Sequence, residues 1–146
     1  MALHLLKLCV GPASIAELEA RIAQTRADAL AQARDPAPAH VTRMVPTRMS
    51  EILGGGSIYW VIKGTLACRQ TIAAIAPFTG ADGIGRCRLV LDPVVVPVSP
   101  RPCRPFQGWR YLKANDAPAD LDAATADGLA EMPDALRREL ASLGLI

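Results

Sequence analysis

Ten of the chain's sixteen basic residues lie between positions 40 and 113, where only Glu51, Asp82 and Asp92 accompany them. Guanidinium groups present planar forks of donors that match phosphate oxygens and base edges, and an adjacent aromatic face can stack on a base. Arg43 and Arg48 flank one predicted turn, Arg69, Arg86 and Arg88 fall in predicted hairpin strands, and Arg101, Arg104 and Arg110 surround a Pro-rich connection. Arg43, Arg48, Lys63, Arg69, Arg104 and Arg110 are therefore candidate phosphate-holding residues, with Tyr59 or Trp109 as candidate stacking rings. The competing reading is that these arginines solvate a sheet face or pair with surface carboxylates, but too few acids lie in the block to pair them all. Trp109 likewise has two readings. It is part of a core plug that closes a barrel, or of an exposed recognition loop, Phe106-Gln107-Gly108-Trp109-Arg110-Tyr111-Leu112.

Signals for catalysis are weaker. Gly54-Gly55-Gly56-Ser57 invites a phosphate-loop reading, yet a true phosphate loop ends in Gly-Lys-Ser/Thr and feeds a helix. Here the glycines feed a strand, so a plain turn is expected. Gly83-x-Gly85 also precedes a strand and reads as a hairpin loop. No G-x-S-x-G motif is present, and neither His4 nor His40 has a suggestive local partner. Cys9, Cys68, Cys87 and Cys103 are far apart and form no C-x-x-C pair, which argues for reduced, packed thiols and against zinc. No cofactor or metal is expected. If the chain is a hydrolase, the candidate groups are His40, Thr42 and Lys63.

The elements that must position these residues follow from periodicity and punctuation. Ala2 to Val10 reads as a strand, closed by Gly11-Pro12. Ser14 and Glu17 form a capping box that starts a helix running to about Ala33, with an apolar stripe at Ile15, Leu18, Ile22, Ala29 and Ala33. His40 to Met44 suits a strand, and Pro46 to Ile52 a short helical turn. Ser57 to Lys63 alternates, with Ile58, Trp60 and Ile62 on one face and Tyr59, Val61 and Lys63 on the other. Leu66 to Ala76 is ambiguous between helix and strand, and its Cys, Thr and Ile favour a strand. Arg86 to Leu91 is a clear strand, and Val94 to Val98 an edge strand marked by Pro97. Residues 57–63 and 86–91 are expected in one antiparallel sheet. A short helix is expected from Asp134 to Leu143.

The fold class is thus α+β: a small, mostly antiparallel curled sheet or PUA-like barrel, with an N-terminal helix and a short C-terminal helix. Residues 1–113 form one domain, and 114–146 an acidic extension. The first 39 residues are charge-neutral, residues 40–113 carry net +7, and residues 114–146 carry net −5. A basic block suggests an anionic partner and an acidic tail a solvated flank or a cover for it. No segment reaches the about 18 apolar residues of a membrane span. The start of the chain lacks the basic lead and cleavage site of a signal peptide, so a cytoplasmic protein that avoids membranes is expected.

The segments MALHLLKLCVG, HVTRMVPTR, GGGSIYWVIKG, CRLVLDP and RPFQGWRYLK together resemble a family of uncharacterised bacterial proteins, domain of unknown function 1489. That resemblance implies no activity. At the level of pattern, a Thr-Arg segment, a helical turn, a Gly-rich turn into an aromatic strand and a following hairpin also resemble the PUA and ASCH barrels. These are RNA-associated folds, some of whose ASCH-like members are nucleases or nucleoside amidohydrolases. The Lys that ASCH-like hydrolases carry before their Thr is absent, with His40 two residues before Thr42 instead. The leading expectation is a non-catalytic domain binding RNA or a nucleotide-like anion. The alternatives are an ASCH-like nucleoside or nucleotide hydrolase and a protein-interaction module.

Overall fold

A computed structural model describes residues 2–121 and Leu136; the expected helix over 134–143 lies otherwise outside the described residues. Strand β1 (Leu3–Leu8) leads to helix α1 (Ile15–Ala31), strand β2 (Ala39–Thr42) and the short helix α2 (Met49–Leu53). Strands β3 (Ser57–Ile62), β4 (Thr65–Thr79), β5 (Gly85–Leu91), β6 (Val96–Pro102) and β7 (Trp109–Lys113) follow. A 3₁₀ turn, Ala114–Asp116, comes after β7. No helix among the described residues is long and apolar enough to cross a membrane.

Helix α1 starts where the capping box requires. Ser14 accepts a hydrogen bond from the Glu17 N–H at 3.1 Å, while the Glu17 carboxylate accepts one from the Ala13 N–H. Only Leu18 and Ala29 of α1 are buried, with Ile15 and Ile22 packed beside the core, so the helix seats a narrow stripe and leaves the rest in water.

The seven strands form one sheet in the order β2-β5-β4-β3-β1-β7, with β6 also paired to β4. The architecture is α+β and mostly antiparallel, as the patterning predicts, and β3 and β5 both flank β4 in that sheet. One ladder departs from the expected order: β1 pairs parallel with β3. Its connection runs through α1, β2 and α2, and a parallel pair needs such a long crossover.

The expected PUA-like barrel does not form, because the sheet is open: β2 and β7 are its two ends and no ladder joins them. The reason lies in the stagger of β4. Its first half, through Thr71, lies between β3 and β6, whereas its second half pairs β5 from Ile72 to Thr79. Strands β5 and β2 are thereby displaced along β4 from the β3-β1-β7 group. A bulge between Ile72 and Ala74 bends the strand. The bent portion brings Cys87, Leu89 and Leu91 of β5 into the same core as Leu5, Ile58, Trp60 and Trp109.

Both faces of the central sheet are covered. On one, Ile58, Trp60 and Ile62 join Leu18 of α1 and Ile52 of α2. On the other, Tyr59 and Val61 pack with Leu66, Val98 and Leu112, flanked by Cys103, Phe106 and Ala117. All six residues of β3 are buried.

Candidate functional site

One end of the sheet and its β7 flank collect basic residues from three connections. Lys63 and Gly64 form the two-residue turn between β3 and β4, with φ of 48° and 77°. Two consecutive positive φ values match the twist of a tight hairpin, and Gly64 adopts the second without a Cβ penalty. The Gly64 carbonyl accepts the Cys103 N–H at 2.9 Å, and Thr65 pairs with Pro102, so the end of β6 lies against this turn. Strand β7 begins further in from the turn, where Trp109 pairs with Lys7, level with Trp60, and Arg110 with Leu6, level with Tyr59.

Lys63 and Arg104 are exposed at the turn, with Arg101 one strand residue away, and Arg110 is exposed on the β7 flank. The Arg110 guanidinium lies 4.5 Å over the Phe106 ring, and Arg101 donates to the Asp116 carbonyl at 2.8 Å. Ion pairs among the described residues join Arg48 to Glu51, Arg69 to Asp120 and Arg86 to Asp82. Lys63, Arg101, Arg104 and Arg110 are in none of them.

The loop after β2 is tied to β7. Trp109 Nε1 donates to the Met44 carbonyl at 2.6 Å, and the Tyr111 hydroxyl accepts the Thr47 and Arg48 N–H groups at 3.1 and 3.3 Å. Trp109 and Tyr111 meet edge to face, 4.9 Å between centroids. Burial alone would raise the Tyr111 phenol, but the bonds from Thr47 and Arg48 bring it below its ordinary pKa. Arg43 is exposed on this loop, next to Met44. The link between HVTRMVPTR and GWRYLK has no sequence signal beyond a Trp and a Tyr two apart on one strand face.

Arg69 lies at mid-sheet, away from the β3–β4 turn: it pairs with Tyr59, in the row that runs through Leu6 to Arg110 on β7. The Arg69 Nε and one amino group grip the Asp120 carboxylate at 2.8 and 2.7 Å, and its other amino group donates to Ser57 Oγ at 3.0 Å. The Ser57 N–H donates to His4 Nδ1 at 2.9 Å, and the His4 and Tyr59 rings meet at 5.0 Å. Burial, then the Arg69 charge, lowers the His4 pKa. Asp120 is held below its usual pKa chiefly by the Arg69 hydrogen bonds. Sequence reasoning singled out Arg69 but missed this cluster, since His4, Ser57 and Asp120 are scattered along the chain.

The expected phosphate holders thus divide. Lys63 and Arg104 share the turn end, Arg110 is exposed on the β7 flank, Arg43 is exposed on the loop tied to β7, and Arg48 and Arg69 are engaged by carboxylates. Both candidate stacking rings are buried, which for Trp109 is the core reading. Tyr59 is 4 % exposed and Trp109 6 % exposed. Helices cover one sheet face and the Pro-rich connection covers the other, so neither ring offers a face to a base.

His40 and Thr42 both lie on β2, but no hydrogen bond joins them to each other or to Lys63. Thr42 Oγ1 accepts the Met44 N–H at 3.3 Å. His40 meets the Trp60 ring edge-on at 5.5 Å, its Nε2 is buried without a partner, and burial lowers its pKa to about 4. Among the described residues, no three His, Cys, Asp or Glu side chains gather to hold a metal.

One protein-family model matches residues 5–146, nearly the whole chain. The chain belongs to the DUF1489 family. The family model is described as a protein of unknown function. No curated protein matches the chain, and no solved structure does. The five segments that resemble DUF1489 supply β1, β2 with its tied loop, β3, β5 and β7. Both the basic flank and the Arg69 cluster draw residues from these segments.

Proposed function

We propose that this DUF1489 protein binds RNA or a nucleotide-like anion on the basic flank of its sheet, through Lys63, Arg104 and Arg110, with Arg101 beside them. The observation that carries the reading is a run of exposed cations from the β3–β4 turn and the end of β6 to the start of β7, with no carboxylate partner among the described residues. Like charges gathered at one place create a field that attracts a polyanion. Fixed on Phe106, the Arg110 guanidinium offers a flat cationic surface on which a base can stack, a role first expected of Tyr59 and Trp109.

Titration of labelled single-stranded RNA at three salt concentrations tests this reading. Each phosphate neutralised contributes a slope of about −0.7 in log K against log salt, so three to five contacts predict roughly −2 to −4. Arg104→Ala and Arg110→Ala should each weaken binding and flatten the slope by somewhat less than one unit. Arg34→Ala, beyond the far end of α1, should change neither. Absence of binding to RNA and to single-stranded DNA at low salt would overturn the proposal.

A further inference from the structure

The cluster around Arg69 has the construction of a receptor with an occupant. The receptor is built on three neighbouring strands: His4 on β1, Ser57 and Tyr59 on β3, and Arg69 on β4. Ser57 is fully buried, and its Oγ ties back one amino group of Arg69. That contact leaves Nε and the other amino group facing forward as a fork. The Ser57 N–H occupies His4 Nδ1, so the neutral ring carries its proton on Nε2.

The occupant is attached differently. Asp120 comes from the segment after β7. This segment lies along β6 through Ser99 N–H to Ala119 O at 2.8 Å and Leu121 N–H to Pro97 O at 2.9 Å. The Asp120 side chain is 48 % exposed, against 22 % for Arg69. A carboxylate and a phosphate offer a guanidinium fork the same pair of oxygens, and a phosphate has a third to give a neighbouring donor.

We propose that the Arg69 fork, backed by Ser57 and flanked by His4 and Tyr59, is a seat for a phosphate monoester, and that Asp120 fills it as an intramolecular stand-in that the ligand displaces. The seat is a second anion site, separated from Arg110 by the β3 and β1 strands and from Lys63 by the length of the β3–β4 hairpin, and it does not rest on the RNA reading. A ligand that must enter an occupied seat binds more weakly by the fraction of time the seat is open. Displacement frees Asp120, so it also loosens the pairing of residues 119–121 with β6 and couples ligand binding to the position of that segment.

Inorganic phosphate is the probe, with calorimetry for affinity and the His4 imidazole carbon–proton signal for location. Asp120→Asn should bind phosphate about tenfold or more tightly than the wild type, with the His4 signal moving on titration. Adding Arg69→Lys, which retains charge but cannot fork, should abolish that gain. Lys63→Ala and Arg110→Ala should leave the gain and the His4 response intact, which separates this seat from the basic flank. In the wild type, saturating phosphate should speed hydrogen exchange at the Ser99 and Leu121 amides. The proposal fails if folded Asp120→Asn, verified by its thermal melt, binds phosphate no more tightly than the wild type. It fails equally if the His4 signal is indifferent to phosphate.

Discussion

Single polar side chains in a mostly aliphatic core carry consequences out of proportion to their number. Gln70, 1 % exposed, accepts from Trp60 Nε1 at 2.9 Å and donates to the Asp92 carbonyl at 2.9 Å. Gln70→Leu keeps comparable bulk but strands the indole N–H. Leaving one buried donor unpaired costs about 1–3 kcal/mol, which a shift in the urea midpoint would reveal. His40 sets a pH dependence. Its folded pKa lies near 4, below the ordinary imidazole value of 6.5, because burial and then the Lys7 charge oppose protonation. Above 6.5 both folded and unfolded chains hold it neutral, so it has no effect on stability there. As pH falls from 6.5 towards 4, only the unfolded chain takes up the proton, and stability drops by at most about 3 kcal/mol before levelling off. Unfolding curves between pH 7 and 4 should show this loss reduced in His40→Gln. An unchanged loss would remove His40 as its source.

At the level of elements, two glycines make a matched comparison. Gly56 joins α2 to β3, and a Cβ there would press into the backbone of Leu3 and Ile52. Neither neighbour can yield without moving β1 or α2, so Gly56→Ala should cost about 1–3 kcal/mol in thermal or urea unfolding. Gly85 opens β5 with open space around it and no left-handed φ, so Gly85→Ala should be neutral or stabilise by up to about 1 kcal/mol. Equal effects at the two positions would contradict the close approach of α2 to β1. The same junction shows what local signals reach. The triple glycine marks a break, and the alternation of Ser57 to Lys63 correctly divides Ile58, Trp60 and Ile62 from Tyr59 and Val61. Neither signal shows that β1 lies parallel beside β3 and places His4 opposite Ser57.

For the molecule as a whole, the open, two-faced sheet divides the four thiols into classes. Cys68 and Cys87 are fully buried, and burial raises both pKa values; Cys9 and Cys103 are only partly covered. In the native protein an aromatic disulfide reagent should therefore modify Cys9 and Cys103 first. Cys68 and Cys87 should react only at the rate of global unfolding, because the thiolate must form in contact with solvent. Mass spectrometry of the labelled protein over time would distinguish the classes, and simultaneous modification of all four would contradict the packing. The charge asymmetry also acts at this scale. The basic surplus of residues 40–113 is gathered only in part, since the topology splits its candidates between the basic flank, the loop tied to β7 and the Arg69 cluster.

Local physics made several features legible in the amino-acid order alone. The capping box at Ser14, the alternation of β3 and β5, the turn glycines and the α+β class depend on neighbours within a few residues, and each stands in the structure as read. The basic character of the middle is likewise a property of composition. Openness of the sheet, burial of Tyr59 and Trp109, and the pairing of Arg69 with Asp120 rest on contacts between residues far apart in the chain. A strand's periodicity says which residues share a face, but not whether a helix or a Pro-rich connection covers that face. An arginine's presence likewise says nothing of the carboxylate that reaches it 51 positions later. Those outcomes belong to the stagger of β4 and the path of the chain around it, which only the tertiary structure decides.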